Sequence, residues 1–285
     1  MHTLYVSDLD GTLLNSESRV SKDSVALINK AIADGAYFSV ATARTPATVS
    51  KLLCDIHTNV PLIVMTGAAI WDMNSNEYLH VAFHKEETAK QLLDIYRRHS
   101  LSTFVYTLGK DNIIHIYHSG AMSDLEWRFV AERNDSPYKK FHIPSNGCSD
   151  IPEKLDRVLL FYSMRPTEEV FPVYEEIKGI PNIRPVYYHD IFGKETALME
   201  VFGEGASKAE AVHILANMID ANHIVAYGDN VNDIPILSIA DDAVAVENAV
   251  EDVKRAACRI IEANNTDSVA RDIARLTNTD RLTNE

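Results

Sequence analysis

Two aspartates follow the first apolar run of the chain, in the stretch YVSDLDGTLLN at residues 5–15. Asp8 and Asp10 are two residues apart, so in an extended backbone both side chains point to the same side. Gly11 then lets the chain turn away without a side chain in its path. Two carboxylates this close are tolerated when one is protonated or when a cation lies between them, and oxygen-only ligands favour Mg²⁺ or Ca²⁺. Taken alone, the pattern also fits a solvated turn.

A second acidic motif, YGDNVND at residues 227–233, follows another apolar stretch. The pattern predicts that Asp229 and Asp233 lie at the C-terminal end of a strand. In a parallel sheet all such ends lie on one edge, so Asp229 can reach a cation held between Asp8 and Asp10. Two separate strand ends that converge in this way favour a metal site over a solvated turn.

An anion site is predicted at the start of a later helix, in the stretch SKAEAVHIL at residues 207–215. Ser207 and Glu210 fit a capping box, which places Lys208 in the first helical turn. A lysine is electrostatically disfavoured there, because the helix N-terminus already carries partial positive charge, but together with free N–H groups it can bind an anion, phosphate above all. Thr42 ends another apolar stretch and offers its hydroxyl and its own N–H to the same anion.

The elements that must position these residues form two groups. Both ends of the chain alternate apolar strands with amphipathic helices, which predicts one doubly wound, mainly parallel α/β sheet. The middle contains helices and a hairpin, which predicts an inserted α+β domain. We therefore expect one domain from residues 1–82 and 203–285 and a second from residues 83–202. The run ALMEVF at residues 197–202 fits either domain, and the last nine residues are expected to fray.

The composition excludes several classes of partner. A formal net charge of −14 argues against nucleic acid or an anionic membrane as the main partner. No apolar run approaches the ~18 residues that a membrane-spanning helix needs. The first residues lack the basic segment and long apolar core of a secretory signal, so we expect a cytoplasmic protein. A small anionic substrate is compatible with this charge if a bound cation or a positioned lysine inverts the charge locally.

Four motifs together, DLDGTLL, ATAR, a lysine at a helix start and GDNVND, resemble those of the haloacid dehalogenase superfamily in sequence order. The inserted module, with VENAVEDVKRAA and NNTDSVARDIARL near the end, is similar to the Cof-type hydrolase branch. This resemblance implies a Rossmann-like core with an inserted cap of the IIB class, which closes over the active site. The sequence departs from the branch at Thr66, Glu247 and Ser268, where an asparagine–glycine pair and two glycines are usual.

The resemblance also implies a role for each motif residue. Asp8 attacks phosphorus, and Asp10 protonates the leaving group and then activates water. Mg²⁺ is held by the Asp8 carboxylate, the Asp10 main-chain carbonyl and Asp229. Asp233 supports this site by orienting waters or Lys208.

Further residues are expected to contact the substrate. By the same resemblance Thr42 and Lys208 bind the transferring phosphoryl group, and Asn232 touches it as well. Arg44, two residues beyond Thr42, is a candidate substrate ligand. A surface or ion-paired arginine is the alternative reading of that position.

The preferred hypothesis is a Mg²⁺-dependent phosphatase that acts on a small phosphorylated metabolite through an aspartyl phosphate. A sugar phosphate, a nucleotide or a phosphorylated cofactor would fit. A protein that binds a phosphorylated ligand or signals without turnover is the alternative, although Asp10 favours catalysis because a mere phosphate acceptor needs no acid and base beside it. A phosphosugar mutase is less favoured, because the mutases of the superfamily carry a different, helical cap before the second motif.

Overall fold

The computed structural model describes residues 2–134, 136–190 and 193–284. The chain divides into two compact units, one formed by Met1–His80 with Ser207–Glu285 and the other by Val81–Ala206. We call them the core unit and the inserted unit. The assignment of the inserted unit as a cap stays a prediction.

The first part of the chain forms the strands and helices expected there, together with a hairpin that the sequence analysis missed. Ser21 caps the first helix by accepting a hydrogen bond from the Ser24 N–H at 2.9 Å. The elements are β1 (Thr3–Ser7), α1 (Lys22–Ala33), β2 (Tyr37–Val40), α2 (Pro46–Leu52), β3 (Leu62–Val64), β4 (Ala69–Asp72) and β5 (Glu77–Val81). The last three form a small sheet in the order β3-β4-β5.

The inserted unit is an α+β module built on a six-stranded sheet. Its elements are α3 (Glu86–Arg98), β6 (Phe104–Leu108), β7 (Ile114–His118), α4 (Asp124–Arg133), β8 (Lys139–Phe141), β9 (Val158–Pro166), α5 (Thr167–Ile177), β10 (Ile183–Asp190) and β11 (Gly193–Gly203). The strand order is β10-β11-β9-β6-β7-β8, and β6 and β7 form the predicted antiparallel hairpin. The ambiguous run at residues 197–202 therefore belongs to this sheet, inside β11 and between β10 and β9.

The last part of the chain completes the core unit. Its elements are α6 (Lys208–Met218), β12 (His223–Gly228), α7 (Ile234–Leu237), β13 (Asp242–Val246), α8 (Glu251–Ala256), β14 (Arg259–Ile261) and α9 (Ser268–Asn284). The last nine residues were expected to fray, but α9 continues as a helix to Asn284. None of the helices in the described ranges is both long and apolar enough to span a membrane. The cytoplasmic location stays a prediction.

The main sheet of the core unit is parallel, in the order β14-β13-β12-β1-β2. An isolated parallel bridge between Ala41 and Ile63 continues it towards β3. Strand β1 is buried along its whole length, as a central strand covered on both faces should be. The predicted α/β fold class is confirmed, and the C-terminal ends of β1, β2 and β12 lie side by side on one edge of the sheet.

A carboxylate in the inserted unit is expected to make the stability of the protein depend on pH. Glu200 lies on β11, opposite Val186 of β10 and Tyr162 of β9. Its neighbours Met199 and Val201 lie on the other face of the sheet, where they pack with residues of α3 and α5. Among the described residues its carboxylate has no hydrogen-bond or ion-pair partner. Burial raises the pKa of Glu200 from 4.5 to about 7.

We expect Glu200→Gln to stabilise the protein at pH 8 and to have little effect at pH 4.5. The pKa of Glu200 is higher in the folded protein, so the folded protein binds more protons than the unfolded chain between pH 4.5 and pH 7. The stability that this proton contributes is lost as the pH rises through that range. At pH 8 the wild type must hold Glu200 ionised in a buried position, and the amide avoids this cost in folding free energy, which is on the order of 2 kcal/mol. Urea unfolding at both pH values measures the difference. Glu195→Gln, on the exposed part of the same strand, is the control, and an equal gain at both pH values would contradict the assignment.

Candidate active site

Asp8 directly extends β1 at the edge of the main sheet. Its backbone is extended, and its N–H donates to the Tyr227 carbonyl of β12 at 3.0 Å. The side chain is buried. The neighbouring strand β12 ends at Gly228, so Asp229 comes directly after it. The carboxylates of Asp8 and Asp229 therefore meet at the predicted edge of the sheet.

The turn after Asp8 passes close to Asp229. Gly11 has a φ of +76°, and a Cβ atom at this position would collide with the Asp229 carboxylate, so only glycine fits. The next residue, Thr12, is buried and donates its hydroxyl to Asp229 Oδ1 at 3.0 Å. Thr12 has no predicted role, although its place directly after Gly11 in the first motif was the available signal.

Lys208 connects the carboxylates of two motifs. Its Nζ lies 2.7 Å from Asp8 Oδ1 and 2.7 Å from Asp233 Oδ1, and its side chain is only 2% exposed. Burial by itself would lower the pKa of Lys208, but the charges of Asp8 and Asp233 outweigh burial and raise it. The lysine therefore stays protonated in the interior, where it neutralises part of the acidic cluster.

Helix α6 begins at Lys208, as the sequence predicts, but the expected capping box is absent. Ser207 is the N-cap residue, yet its side chain accepts no capping hydrogen bond from α6. The lysine is instead fixed by the two carboxylates. A charge-assisted pair of this kind is stronger than a neutral cap.

Asp233 holds the turn that follows β12. Its Oδ2 accepts hydrogen bonds from the N–H groups of Asp229 and Asn230 at 3.1 and 3.2 Å, while its Oδ1 pairs with Lys208. The side chain is completely buried. Asn232 is exposed in the same turn, and the hydrogen bonds described for the site do not include its side chain.

Three carboxylates form a group that can hold a cation. Oxygen atoms of Asp8, Asp229 and Asp233 all lie within 4.8 Å of one another. Burial raises the pKa of Asp8 to about 7, against the lowering effect of Lys208 and with the help of Asp233. Burial and the charge of Asp233 likewise raise the pKa of Asp229 to about 6, although Thr12 opposes this. This oxygen-only, electrostatically crowded set fits a hard divalent cation such as Mg²⁺.

The Asp10 carboxylate is paired with Arg44. It accepts two hydrogen bonds from Arg44, from Nε to Oδ2 at 2.8 Å and from Nη2 to Oδ1 at 2.6 Å. The hydrogen bond to Asp10 raises the pKa of Arg44 above its ordinary value. Of the two readings of Arg44, the structure shows the ion-paired arginine, and the role of substrate ligand stays a prediction.

Thr42 is buried at the end of β2, next to the same edge. Its N–H donates to the Ile63 carbonyl at 3.0 Å, so the expectation that this group is available to an anion is wrong. The bridge that joins β3 to the sheet uses the N–H instead. The Thr42 hydroxyl accepts the Arg44 N–H at 3.2 Å and keeps its own proton for another acceptor.

The segment Met65–Gly67 braces the residues around Thr42. All three residues have positive φ, which is unusual for Met65 and for the β-branched Thr66. The N–H groups of Met65 and Thr66 donate to the carbonyls of Arg44 and Thr42 at 3.0 and 2.9 Å, and these bonds hold the strained turn in place. At Thr66, where the sequence departs from the Cof-type branch, the backbone therefore has a left-handed conformation.

Gly67 is packed against the start of α6, so Gly67→Ala is expected to destabilise the protein by about 2 kcal/mol or more. Its φ is +86°, and a Cβ atom would collide with the Ser207 carbonyl and lie 2.7 Å from the backbone nitrogen of Lys208. Gly35→Ala is a matched control, because Gly35 has a φ of +102° but nothing within 4 Å of the added atom. That variant should lose only about 1 kcal/mol, the strain of the backbone alone. Equal losses in chemical unfolding would mean that the packing against α6 carries no energy.

A family model described as haloacid dehalogenase-like hydrolase matches residues 5–273. The chain belongs to the haloacid dehalogenase-like hydrolases. The resemblance to this superfamily and to its Cof-type branch is thereby confirmed, as is the expected class of a hydrolase related to phosphatases.

Relatives in this family cover nearly the whole chain. A Bacillus subtilis protein named 5-amino-6-(5-phospho-D-ribitylamino)uracil phosphatase YcsE is 26% identical over 274 residues, which are 95% of this chain and 94% of that protein. A second one from the same organism, YwtE, is 22% identical over 282 residues, 92% and 94% of the two chains.

Solved structures share the fold. The crystal structure of a haloacid dehalogenase-like hydrolase from Bacteroides thetaiotaomicron superposes with a TM-score of 0.77 at 23% identity, covering 97% of this chain and 100% of that one. TM0651 from Thermotoga maritima gives 0.76 at 20% identity, with coverage of 96% and 97%. At this identity the likeness is one of fold.

Proposed function

We propose that this hydrolase is a Mg²⁺-dependent phosphatase that acts on a small phosphorylated metabolite through an aspartyl phosphate. The observation that carries the proposal is the buried Lys208 ammonium group, which lies 2.7 Å from Asp8 and from Asp233. A carboxylate can attack an anionic phosphoryl group only where positive charge cancels their repulsion. Lys208 supplies one such charge next to Asp8.

The acidic cluster can hold a second positive charge, because oxygen atoms of its three carboxylates lie within 4.8 Å of one another. Asp8 and Asp229 would hold Mg²⁺ with the Asp10 main-chain carbonyl, and Asp233 lies close behind them. The bound ion would supply charge neutralisation and orient the phosphoryl group. Asp233 also keeps Lys208 in place through its Oδ1.

The chain's own side chains then have separate tasks. Asp8 accepts a hydrogen bond from Lys208 through Oδ1. Its Oδ2 has no hydrogen-bond donor among the described residues, and we assign the attack on phosphorus to this oxygen. Lys208 and the Thr42 hydroxyl would bind the transferring group, with Asn232 at the exposed side. Asp10 would give a proton to the leaving oxygen and later take one from the attacking water.

The chemistry of the site and the relatives both support a small phosphorylated substrate. The Bacillus subtilis proteins are named as phosphatases of a phosphorylated ribitylaminouracil, which is a small phosphorylated molecule. We propose a substrate of this general kind, which is a sugar phosphate, a nucleotide or a phosphorylated cofactor. The net charge of −14 supports a small molecule over nucleic acid or an anionic membrane as the partner.

The test is phosphate release from a panel of phosphorylated sugars, nucleotides and cofactors, including the ribitylaminouracil phosphate. Each compound is measured in Mg²⁺ and in EDTA. Release that requires Mg²⁺ is the expected result and ranks the substrates. A ligand that binds tightly and is recovered unhydrolysed in Mg²⁺ would instead support the binding role, and an isomerised product would support a mutase.

A further inference from the structure

Arg44 holds the Asp10 carboxylate by both of its oxygens. The Nε and Nη2 atoms of the guanidinium donate to Oδ2 and Oδ1 at 2.8 and 2.6 Å, which is the fork geometry of a bidentate arginine–carboxylate pair. Such a pair fixes the direction of the carboxylate as well as its position. Asp10 is therefore directed by Arg44, and it is not among the three carboxylates, Asp8, Asp229 and Asp233, whose oxygen atoms lie within 4.8 Å of one another.

Arg44 is the better anchored partner. Its N–H donates to the Thr42 hydroxyl at 3.2 Å, and its carbonyl accepts the Met65 N–H at 3.0 Å. Its side chain is 28% exposed, whereas the Asp10 side chain is 54% exposed. The backbone of Arg44 is thus tied on both sides, and the more exposed carboxylate takes the direction that the guanidinium imposes.

We propose that Arg44 is a positioning residue, which places the Asp10 carboxylate for proton transfer to and from the reacting oxygen atoms. The inference rests on the proposed function. In the first half-reaction an Asp8 oxygen bonds to phosphorus, the bond from phosphorus to the leaving oxygen breaks, and the Asp10 proton passes to that oxygen. In the second, a water oxygen bonds to phosphorus, its proton returns to Asp10 and the Asp8–phosphorus bond breaks.

The two contacts suit this cycle better than one contact would. When Asp10 carries the proton, the protonated oxygen is a weaker acceptor, so its contact with Arg44 weakens. The other contact still holds the group near its place. A single-point partner such as lysine would lose the direction of the carboxylate when the contact changed.

The dependence on the leaving group tests the proposal. A p-nitrophenolate leaving group departs without a proton, whereas an alkoxide needs one. For Arg44→Gln we expect kcat/KM, which reports the steps up to departure of the leaving group, to fall by about 10–100-fold on the best alkyl phosphate of the panel, against the ~10²–10⁴-fold worth of a whole general acid. The kcat/KM on p-nitrophenyl phosphate should fall much less, and KM should not rise for either substrate. Arg44→Lys should behave like Arg44→Gln, and Arg19→Gln, at an exposed arginine of the same unit, should match the wild type.

Three results would overturn the inference. An equal fall in kcat/KM on both substrates would indicate a merely structural residue, and a rise in KM at constant kcat would indicate a substrate ligand. Additive shifts in melting temperature for Arg44→Gln, Asp10→Asn and their double variant would show that the pair is not formed in solution. The proposed function fails separately, when the wild type lacks Mg²⁺-dependent release or when Asp8→Asn retains it, and the inference then falls with it.

Discussion

Asp8→Asn is expected to lower kcat by at least about 10⁴-fold, because an amide cannot replace the carboxylate as the nucleophile. The change keeps the shape of the side chain, so the fold and the neighbouring strands should persist. Phosphate release from the best substrate of the panel, measured at saturating Mg²⁺, gives the ratio. Asp55→Asn, at an exposed aspartate of the same unit, is the control and should keep full activity.

The same variant should be at least as stable as the wild type at pH 8 in EDTA. Burial raises the pKa of Asp8 from 3.8 to about 7. With the folded pKa above the unfolded value, the contribution of this group to stability is full below about pH 4 and is lost as the pH rises to 7. At pH 8 the wild type carries the cost of an ionised buried carboxylate, and the amide does not. Retained turnover, or a collapse of the melting temperature, would contradict this assignment.

Lys208→Met is expected to have the second largest effect, on both stability and turnover. The ammonium group is the cation that both Asp8 and Asp233 contact at 2.7 Å, and its removal leaves two buried carboxylates without it. Breaking a buried pair in this way costs about 3–5 kcal/mol. The lost positive charge next to the nucleophile should also lower kcat by about 10²–10³-fold.

A double variant separates the two effects. Lys208→Met with Asp233→Asn removes one of the abandoned charges, so urea unfolding should show that much of the lost stability returns. Turnover should stay low, because the positive charge beside Asp8 is still missing. A double variant that recovered activity together with stability would mean that Lys208 serves the fold alone.

The meeting of Asp8, Asp229 and Lys208 could be anticipated from the sequence because it follows from topology. Parallel strands end on one edge, so acidic residues that follow two adjacent strands are brought together whatever the loops do. Lysine at a helix start was a second independent signal. These relations need only the pattern of apolar and polar residues.

The finer contacts could not be anticipated, because they depend on distances between segments remote in the chain. Nothing local to Arg44 distinguishes a substrate ligand from a partner of Asp10, which lies 34 positions away. The Thr42 N–H is taken by the Ile63 carbonyl only because β3 bridges to the sheet at that point. The capping box of Ser207 and Glu210 is predicted from local sequence alone, but Ser207 makes no capping hydrogen bond. The start of α6 is instead fixed by the contacts of Lys208 with Asp8 and Asp233.

Short elements were missed for a different reason. Strands β8 and β14 have three residues each, and β14 is only partly buried. Such segments show neither alternation nor an apolar run long enough to be recognised. Their pairing with longer strands, and not their own sequence, makes them strands.

The insertion between the two halves of the core unit has a consequence for biosynthesis. Strand β1 lies between β2 and β12, and the residues of β12 that pair with it are made more than 200 positions after it. The first 80 residues therefore leave the ribosome with one side of their central strand unpaired, and they need protection from misassociation until the end of the chain is made. Lys208 and Asp229 are also supplied by that last portion. Only a chain synthesised almost to its end can assemble these charges, so a truncated product carries no complete site.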